Sequence, residues 1–201
     1  DQTGTVRAIG VGRALIVVSS GTFADTAEVV VTAPAQLDIT ASSAAPQDTT
    51  RSASGTLLPV LAVVLHASGH EGMQVTQLGF RVGNPDPAAE LVLIGDINRN
   101  ARIDVGERVL ARTSIGTGNT TQALPVPALA IAPRDSVHLI AAIELSGRAP
   151  NGAVFNVELL SALTRTRGIR SDAADQIGTI AGVPSASAVT TLLTPGTIFS
   201  L

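Results

Sequence analysis

The amino-acid sequence predicts an all-β protein built as an antiparallel β-sandwich, and three observations support that fold class. Val, Ile and Thr recur in short runs, and Gly, Pro, Asn or Asp interrupts these runs at intervals of roughly 8 to 12 residues. Apolar and polar side chains alternate in several runs, as from Val75 to Val82, which indicates strands with one face in solvent. No segment shows the periodicity of an amphipathic helix.

Each predicted strand is a run of this kind, and turn-forming residues define its ends. Segment 32–36, with the sequence TAPAQ, and segment 45–55, rich in Ser, Thr and Pro, are predicted loops. The first loop gives a domain boundary near residue 35, with residues 1–35 and 36–201 as the two parts. The predicted strands are Thr5–Ile9, Ala14–Ser19, Ala27–Thr32, Leu37–Ser42, Leu58–Ala67, Gln74–Val82, Glu90–Gly95, Arg108–Ile115, Gln122–Val126, Ser136–Leu145, Ala153–Ser161, Ile177–Ile180 and Ala188–Leu193.

The composition excludes several classes of function. The 201 residues include no Cys, Lys, Trp or Tyr, so disulfides, thiolate metal sites, Schiff-base chemistry and a P-loop are excluded. A net charge of -3 with scattered Arg residues argues against a nucleic-acid partner, and 2% aromatic residues argue against ligands bound by stacking. The apolar run Leu57–Leu65 is far shorter than the roughly 20 residues of a membrane-spanning helix, and we predict no membrane span.

The segment Asp96–Glu107 has the spacing of a calcium-binding loop. Oxygen-bearing side chains stand at positions 1, 3, 5, 9 and 12 of this segment, and the apolar Ile103 stands at position 8. Ca2+ takes about 6 to 8 oxygens, which a wound loop supplies from alternate side chains, one backbone carbonyl and a bidentate acid. We therefore expect calcium to be bound by the carbonyl of Arg102 and by the side chains of Asp96, Asn98, Asn100, Asp104 and Glu107.

This loop resembles the EF-hand type but departs from it in two respects. Ala101 stands at position 6, where Gly is usual, so the positive φ of a sharp turn would cost roughly 1 kcal/mol. The flanking sequences ELVLIG and RVLARTSI are typical of strands and not of helices. The sequence therefore predicts a structural calcium loop between two strands and not a calcium sensor. The alternative is a solvated turn rich in Asp and Asn.

The N-terminal stretch GTVRAIGVGRALIVVSSGTFADTAEVVVTA shows a second resemblance. A Gly-x-Val turn into a short strand, a Gly-x-Gly/Ala-x-Ile pattern over Gly12–Ile16, a hairpin at Ser20 and Gly21 and a closing Val29–Val31 strand follow one another. Residues 1–33 thereby resemble the C-terminal half of a bacterial immunoglobulin-like domain of group 2. The resemblance implies an immunoglobulin-like fold and a missing first half. Either the sequence is a fragment of a repeat protein, or the hairpin packs on the main domain, or a neighbouring subunit donates strands.

Together these features predict a non-catalytic, calcium-stabilised structural block of a secreted bacterial surface fibre or repeat adhesin. The expected partners are other copies of the chain or neighbouring domains, and the expected location is extracellular or at the cell surface. The alternative function is a ligand- or glycan-binding adhesion module that uses the loops around Arg165–Asp175, whose Arg cluster is interpreted as a solvated loop. An enzyme is not predicted, because His66, His70 and Glu71 lie at a strand end and no catalytic motif occurs.

Overall fold

A computed structural model describes the chain over residues 7–33, 35–44, 49–52, 57–83, 88–116, 121–145, 154–171, 174, 177–181 and 190–193. Within these ranges the regular structure consists of strands. The strands are β1 Gly12–Ser20, β2 Phe23–Val31, β3 Gln36–Ala41, β4 Thr49–Ser52, β5 Leu57–Ser68, β6 Met73–Gly83, β7 Ala88–Gly95, β8 Val109–Ser114, β9 Thr121–Ile131, β10 Ser136–Leu145, β11 Val154–Gly168, β12 Ile177–Ala181 and β13 Thr190–Leu193.

The described strands form three sheets. A six-stranded sheet has the order β12-β3-β5-β10-β7-β8, and a five-stranded sheet has the order β4-β13-β11-β6-β9. Strands β1 and β2 pair only with each other, in an antiparallel hairpin whose register runs from Gly12 opposite Val31 to Ser20 opposite Phe23. Among the described strands, the pairings inside the two large sheets are antiparallel except two at their edges, β12 with β3 and β13 with β4.

The two large sheets enclose one hydrophobic core, which confirms the predicted all-β sandwich. Leu37, Leu65 and Leu139 contribute from the six-stranded sheet, and Phe80 and Leu124 contribute from the five-stranded sheet. These side chains have no accessible surface. In the second part of β6, Leu78, Phe80 and Val82 are buried, as the predicted alternation requires. Val75 is also buried, because an irregularity between Val75 and Gln77 shifts the inward face.

The central strands of the six-stranded sheet are buried on both faces. Leu91 and Leu93 of β7 belong to the main core, whereas Val92 and Ile94 point to the outer face of the sheet and are also buried. On β10, Ile140 and Ala142 lie opposite Ile94 and Val92 and complete a second, smaller cluster on that outer face. A segment outside the two sheets must therefore cover this cluster.

Four predictions about secondary structure need correction. Segment 45–55, a predicted loop, contains strand β4, whose residues Thr49–Ser52 pair with β13. Residues 7–9 of the predicted strand Thr5–Ile9 are not in a strand. Arg165 and Arg167, interpreted as part of a solvated loop, lie on β11, which continues to Gly168 after an irregular stretch. The sandwich is also not purely antiparallel, because its edge strands β12 and β4 pair in parallel with β3 and β13. The predicted boundary near residue 35 stays a prediction.

Candidate metal centre

The predicted calcium loop connects β7 to β8 and is anchored at both ends by backbone hydrogen bonds. The amide of Gly95 donates to the carbonyl of Arg108 at 3.0 Å, which closes the base of the loop. The amide of Asp96 donates to the carbonyl of His138 on β10 at 2.9 Å. The loop thus begins on a central strand and is held against its neighbour, as the prediction of strand, loop and strand requires.

The first predicted ligand, Asp96, organises the tightest part of the loop. Its side chain is buried, and its two oxygens accept hydrogen bonds from the amides of Asn100 at 3.0 Å and Ala101 at 2.9 Å. The backbone adopts the left-handed conformation at Arg99, with φ of 60°, and at Ala101, with φ of 56°. The positive φ expected at Ala101 is confirmed. Neither residue type favours this conformation, so each stores backbone strain of roughly 1 kcal/mol.

Asp104 accepts hydrogen bonds from both predicted amide ligands. The carboxamide nitrogens of Asn98 and Asn100 donate to one oxygen of Asp104 at 2.6 and 2.7 Å, and Asn100 Oδ1 accepts from the amide of Arg102 at 2.8 Å. The hydrogen bonds from Asn100 and then Asn98 hold the pKa of Asp104 below its ordinary value, with a smaller contribution from the charge of Arg102. Asp104 is therefore ionised at neutral pH, which is the form that a cation needs.

Glu107 contains a buried oxygen without a partner. One of its oxygens accepts the amide of Asp104 at 3.1 Å, and the amide of Glu107 donates to the carbonyl of Asp104. The other oxygen, Oε1, is buried and has no hydrogen-bond partner among the described residues. An ionised carboxylate oxygen in such a position is costly unless a donor or a cation meets it.

The donor set suits a hard cation that accepts mixed oxygen ligands. Among the described residues, no three His, Asp or Glu side chains converge to form a metal site on their own. A site in this loop therefore needs the amide oxygens of Asn98 and Asn100, which lie one amide rotation away from facing Asp104. That rotation brings oxygen against oxygen and breaks the hydrogen bond from the amide of Arg102 to Asn100 Oδ1, so a cation between the oxygens would have to compensate for both effects. Carboxylates, amides and a carbonyl are the ligands that Ca2+ uses.

The loop also covers the small outer-face cluster of the six-stranded sheet. Ile103, at position 8 of the loop, packs against the cluster of Val92, Ile94, Ile140 and Ala142, together with Leu57. The other large apolar side chains of the loop, Ile97 and Val105, are exposed, whereas the small Ala101 is buried. The apolar run of β7 indicates a strand that is buried on both faces. The run does not show that Ile103 is the residue that packs on the outer face.

The histidines and acid considered for catalysis lie apart in separate contacts. His66 Nδ1 shares a hydrogen bond of 3.0 Å with Ser136 Oγ, whereas His70 accepts one of 3.3 Å from the guanidinium of Arg134. Glu71 binds the backbone amides of Arg170 and Ser171 and the hydroxyl of Ser171. The structure therefore does not bring His66, His70 and Glu71 together.

Solved structures of cohesin modules are among the distant structural neighbours of this chain. No family model matches the chain, and no curated protein matches it significantly. A cohesin of ScaC from Acetivibrio cellulolyticus, solved in complex with the ScaB dockerin, has a TM-score of 0.33 and 16% identity, over 79% of this chain and 99% of that one. A type III cohesin module from the cell-surface anchoring scaffoldin ScaE of Ruminococcus flavefaciens has a TM-score of 0.30 and 14% identity, over 81% of this chain and 88% of that one.

No helix that is long and apolar enough to cross a membrane occurs in the part of the chain that the structure describes.

Proposed function

We propose that this chain is a non-catalytic, calcium-stabilised building block of a secreted bacterial surface fibre or repeat adhesin. Calcium bound in the loop 96–107 stabilises the connection between β7 and β8. The hairpin β1–β2 joins the block to another copy or to a neighbouring domain. The observation that carries the calcium part is the buried, unpartnered Oε1 of Glu107 at the position of the predicted bidentate ligand.

Two further features of the loop support calcium. Left-handed Arg99 and Ala101 make the loop costly without a ligand, and a bound ion offsets that cost. The carboxylates of Asp96, Asp104 and Glu107 repel one another, and a divalent cation reverses the sign of that interaction. A loop with two amide ligands in place of acids suits the modest affinity of extracellular modules, with a Kd of about 10⁻⁴ to 10⁻³ M.

The hairpin supports assembly because both of its faces expose large apolar side chains. Ala14, Ile16, Val18, Phe23 and Val29 share one face of the hairpin, where Val18 is 66% and Phe23 is 82% exposed. The opposite face exposes Leu15 and Val17 beside the ion pair of Arg13 with Glu28 at 3.0 Å. A two-stranded hairpin is marginally stable alone, so these apolar side chains need a second layer of protein.

Calcium titration of the metal-free full chain by calorimetry tests the calcium part. We expect one site, and a melting temperature that rises with calcium by mass action, equivalent to about 2.7 kcal/mol at a hundredfold excess over Kd. Glu107→Gln should abolish most of the rise. Ile97→Ala is the matched control within the loop, because the side chain of Ile97 is exposed and is not a predicted ligand. Identical melting curves in calcium and in EDTA would exclude the site.

Sedimentation velocity of the full chain tests the assembly part. Phe23→Glu places a charge on the face of Ile16 and Val29, opposite the neutral Ser20, and should weaken association, whereas Thr26→Glu, on the face of the Arg13–Glu28 ion pair, should weaken it less. A monomer at every concentration of the unmodified chain would contradict self-association and leave a neighbouring domain as the cover.

A further inference from the structure

The small hydrophobic cluster on the outer face of the six-stranded sheet depends on the candidate calcium loop for its cover. Val92, Ile94, Ile140 and Ala142 have at most 1% of their surface exposed, although the main core lies on the other side of their sheet. Among the described residues, the partly buried side chains that pack against them are those of Leu57, at the start of β5, and Ile103 of the loop.

Ile103 stands between two predicted calcium ligands. Arg102, whose carbonyl is a predicted ligand, precedes it, and Asp104, which the two amides hold, follows it. A bound ion that fixes both neighbours also fixes the direction of the Ile103 side chain. The exposed Ile97 and Val105 show that the loop does not bury its apolar residues indiscriminately, since only Ile103 among these three meets the sheet.

We infer that Ile103 couples the cation site to the outer-face cluster. Calcium in the loop keeps the side chains of this cluster buried, and removal of calcium exposes them to solvent. The inference rests on the calcium site proposed above and adds a conformational consequence to it. Coupling of this kind is reciprocal: if calcium favours the packed position of Ile103, loss of that packing must weaken calcium binding by the same factor.

The absence of cysteine from the chain permits a clean test with single thiols. Ala142→Cys places a thiol in the outer-face cluster, and Ala141→Cys places one next to it on the opposite face, in the main core. Their rates of reaction with a small disulfide reagent are measured in calcium and in EDTA. We expect EDTA to speed the Ala142→Cys reaction by about tenfold or more while the Ala141→Cys rate stays nearly constant.

Three results would overturn the inference. If calorimetry shows calcium binding but the Ala142→Cys rate is the same with and without calcium, the coupling is wrong and the calcium site stands. If EDTA speeds both thiols equally, calcium stabilises the whole fold and not this cover. If calcium does not bind, the proposed function and the inference both fail.

Calcium affinity supplies a second measurement that needs no thiol. Ile103→Ala should weaken calcium binding by about fivefold or more, whereas Ile97→Ala, in the same loop but 72% exposed, should leave it unchanged. Equal affinity of both variants and the unmodified chain would contradict the coupling.

Discussion

The carboxylate of Glu71 accepts two hydrogen bonds from Ser171, one from its backbone amide at 2.9 Å and one from its hydroxyl. A third comes from the amide of Arg170 at 2.8 Å. Glu71 stands in the turn between β5 and β6, and Ser171 follows β11, so one buried acid connects two distant loops at one end of the sandwich. The hydroxyl of Ser171, with the amides of Ser171, Arg170 and Ala35, lowers the pKa of Glu71 against the opposing effect of burial.

Glu71→Gln should lower the free energy of unfolding by about 1 to 3 kcal/mol at pH 7, because hydrogen bonds to a buried charged acceptor are lost or weakened. The folded-state pKa of Glu71 is depressed below 4.5, so its contribution is present above that pH and is lost as the pH falls through the lowered value. The difference between the two proteins should therefore shrink in acid. Urea unfolding followed by far-UV circular dichroism at pH 7 and pH 3 measures this difference in the free energy of unfolding. Glu28→Gln, at an exposed position, is the control. A constant difference would contradict this role.

Asn100→Asp should change stability in opposite directions with and without calcium. In EDTA the new carboxylate cannot donate to Asp104, faces it at hydrogen-bond distance, and should lower the melting temperature. In calcium the additional charged ligand should tighten binding, because affinity in such loops rises with the number of charged ligands. Thermal unfolding in both conditions provides the test. The same sign of change in both would count against a cation between residues 100 and 104.

Gly79→Ala should destabilise the sandwich by about 1 to 3 kcal/mol through overpacking. A Cβ at this position would lie 2.9 Å from the carbonyl oxygen of Leu160 and even closer to the Leu163 side chain, where β11 bulges over β6. Gly116→Ala is the control, because a Cβ there would meet nothing within 4 Å. Chemical denaturation of the two variants compares them. An equal, small effect would mean that the irregular stretch of β11 moves aside easily.

Arg99→Asn should raise the free energy of unfolding by about 0.5 to 1 kcal/mol, because Asn tolerates the left-handed conformation better than Arg. Arg99 has a φ of 60° and an exposed side chain, so the substitution removes little packing. Arg102→Asn, in the same loop but without a positive φ, should bring no such gain. Thermal melts in EDTA isolate the effect from calcium binding, and a loss of stability for Arg99→Asn would contradict the reason given.

The sandwich was predictable because its strands differ sharply from its turns in residue type. Leu78, Phe80 and Val82 are buried as the alternation predicts, whereas Val75, which the pattern places on the other face, is also buried because β6 is irregular between Val75 and Gln77. Strand β4 escaped prediction because Thr49–Ser52 is short and polar, and its strand character comes from pairing with β13. Arg165 and Arg167 were misassigned for a related reason: charges on an exposed strand face look like those of a loop when the strand contains an irregular stretch.

The candidate site was predictable as a list of residues but not as a packed unit. The spacing from Asp96 to Glu107 predicted which oxygens share a loop, and the positive φ at Ala101 followed from the same comparison. The docking of Ile103 onto the back of β7 and β10 depends on the direction in which the loop folds. That direction is decided by contacts between residues far apart in sequence, including the hydrogen bond from Asp96 to His138.

The two parallel edge pairings have a consequence for how the chain folds as it is synthesised. Leu37 of β3 pairs with Ile177 of β12, and Thr49 of β4 pairs with Thr190 of β13, so early strands acquire these neighbours only when the last quarter of the chain exists. Pairings over such separations form slowly, and all-β sandwiches fold on the millisecond-to-second scale. Until then β3 has an open edge that any extended peptide can occupy. The nascent chain is therefore more vulnerable to wrong pairing than the finished protein.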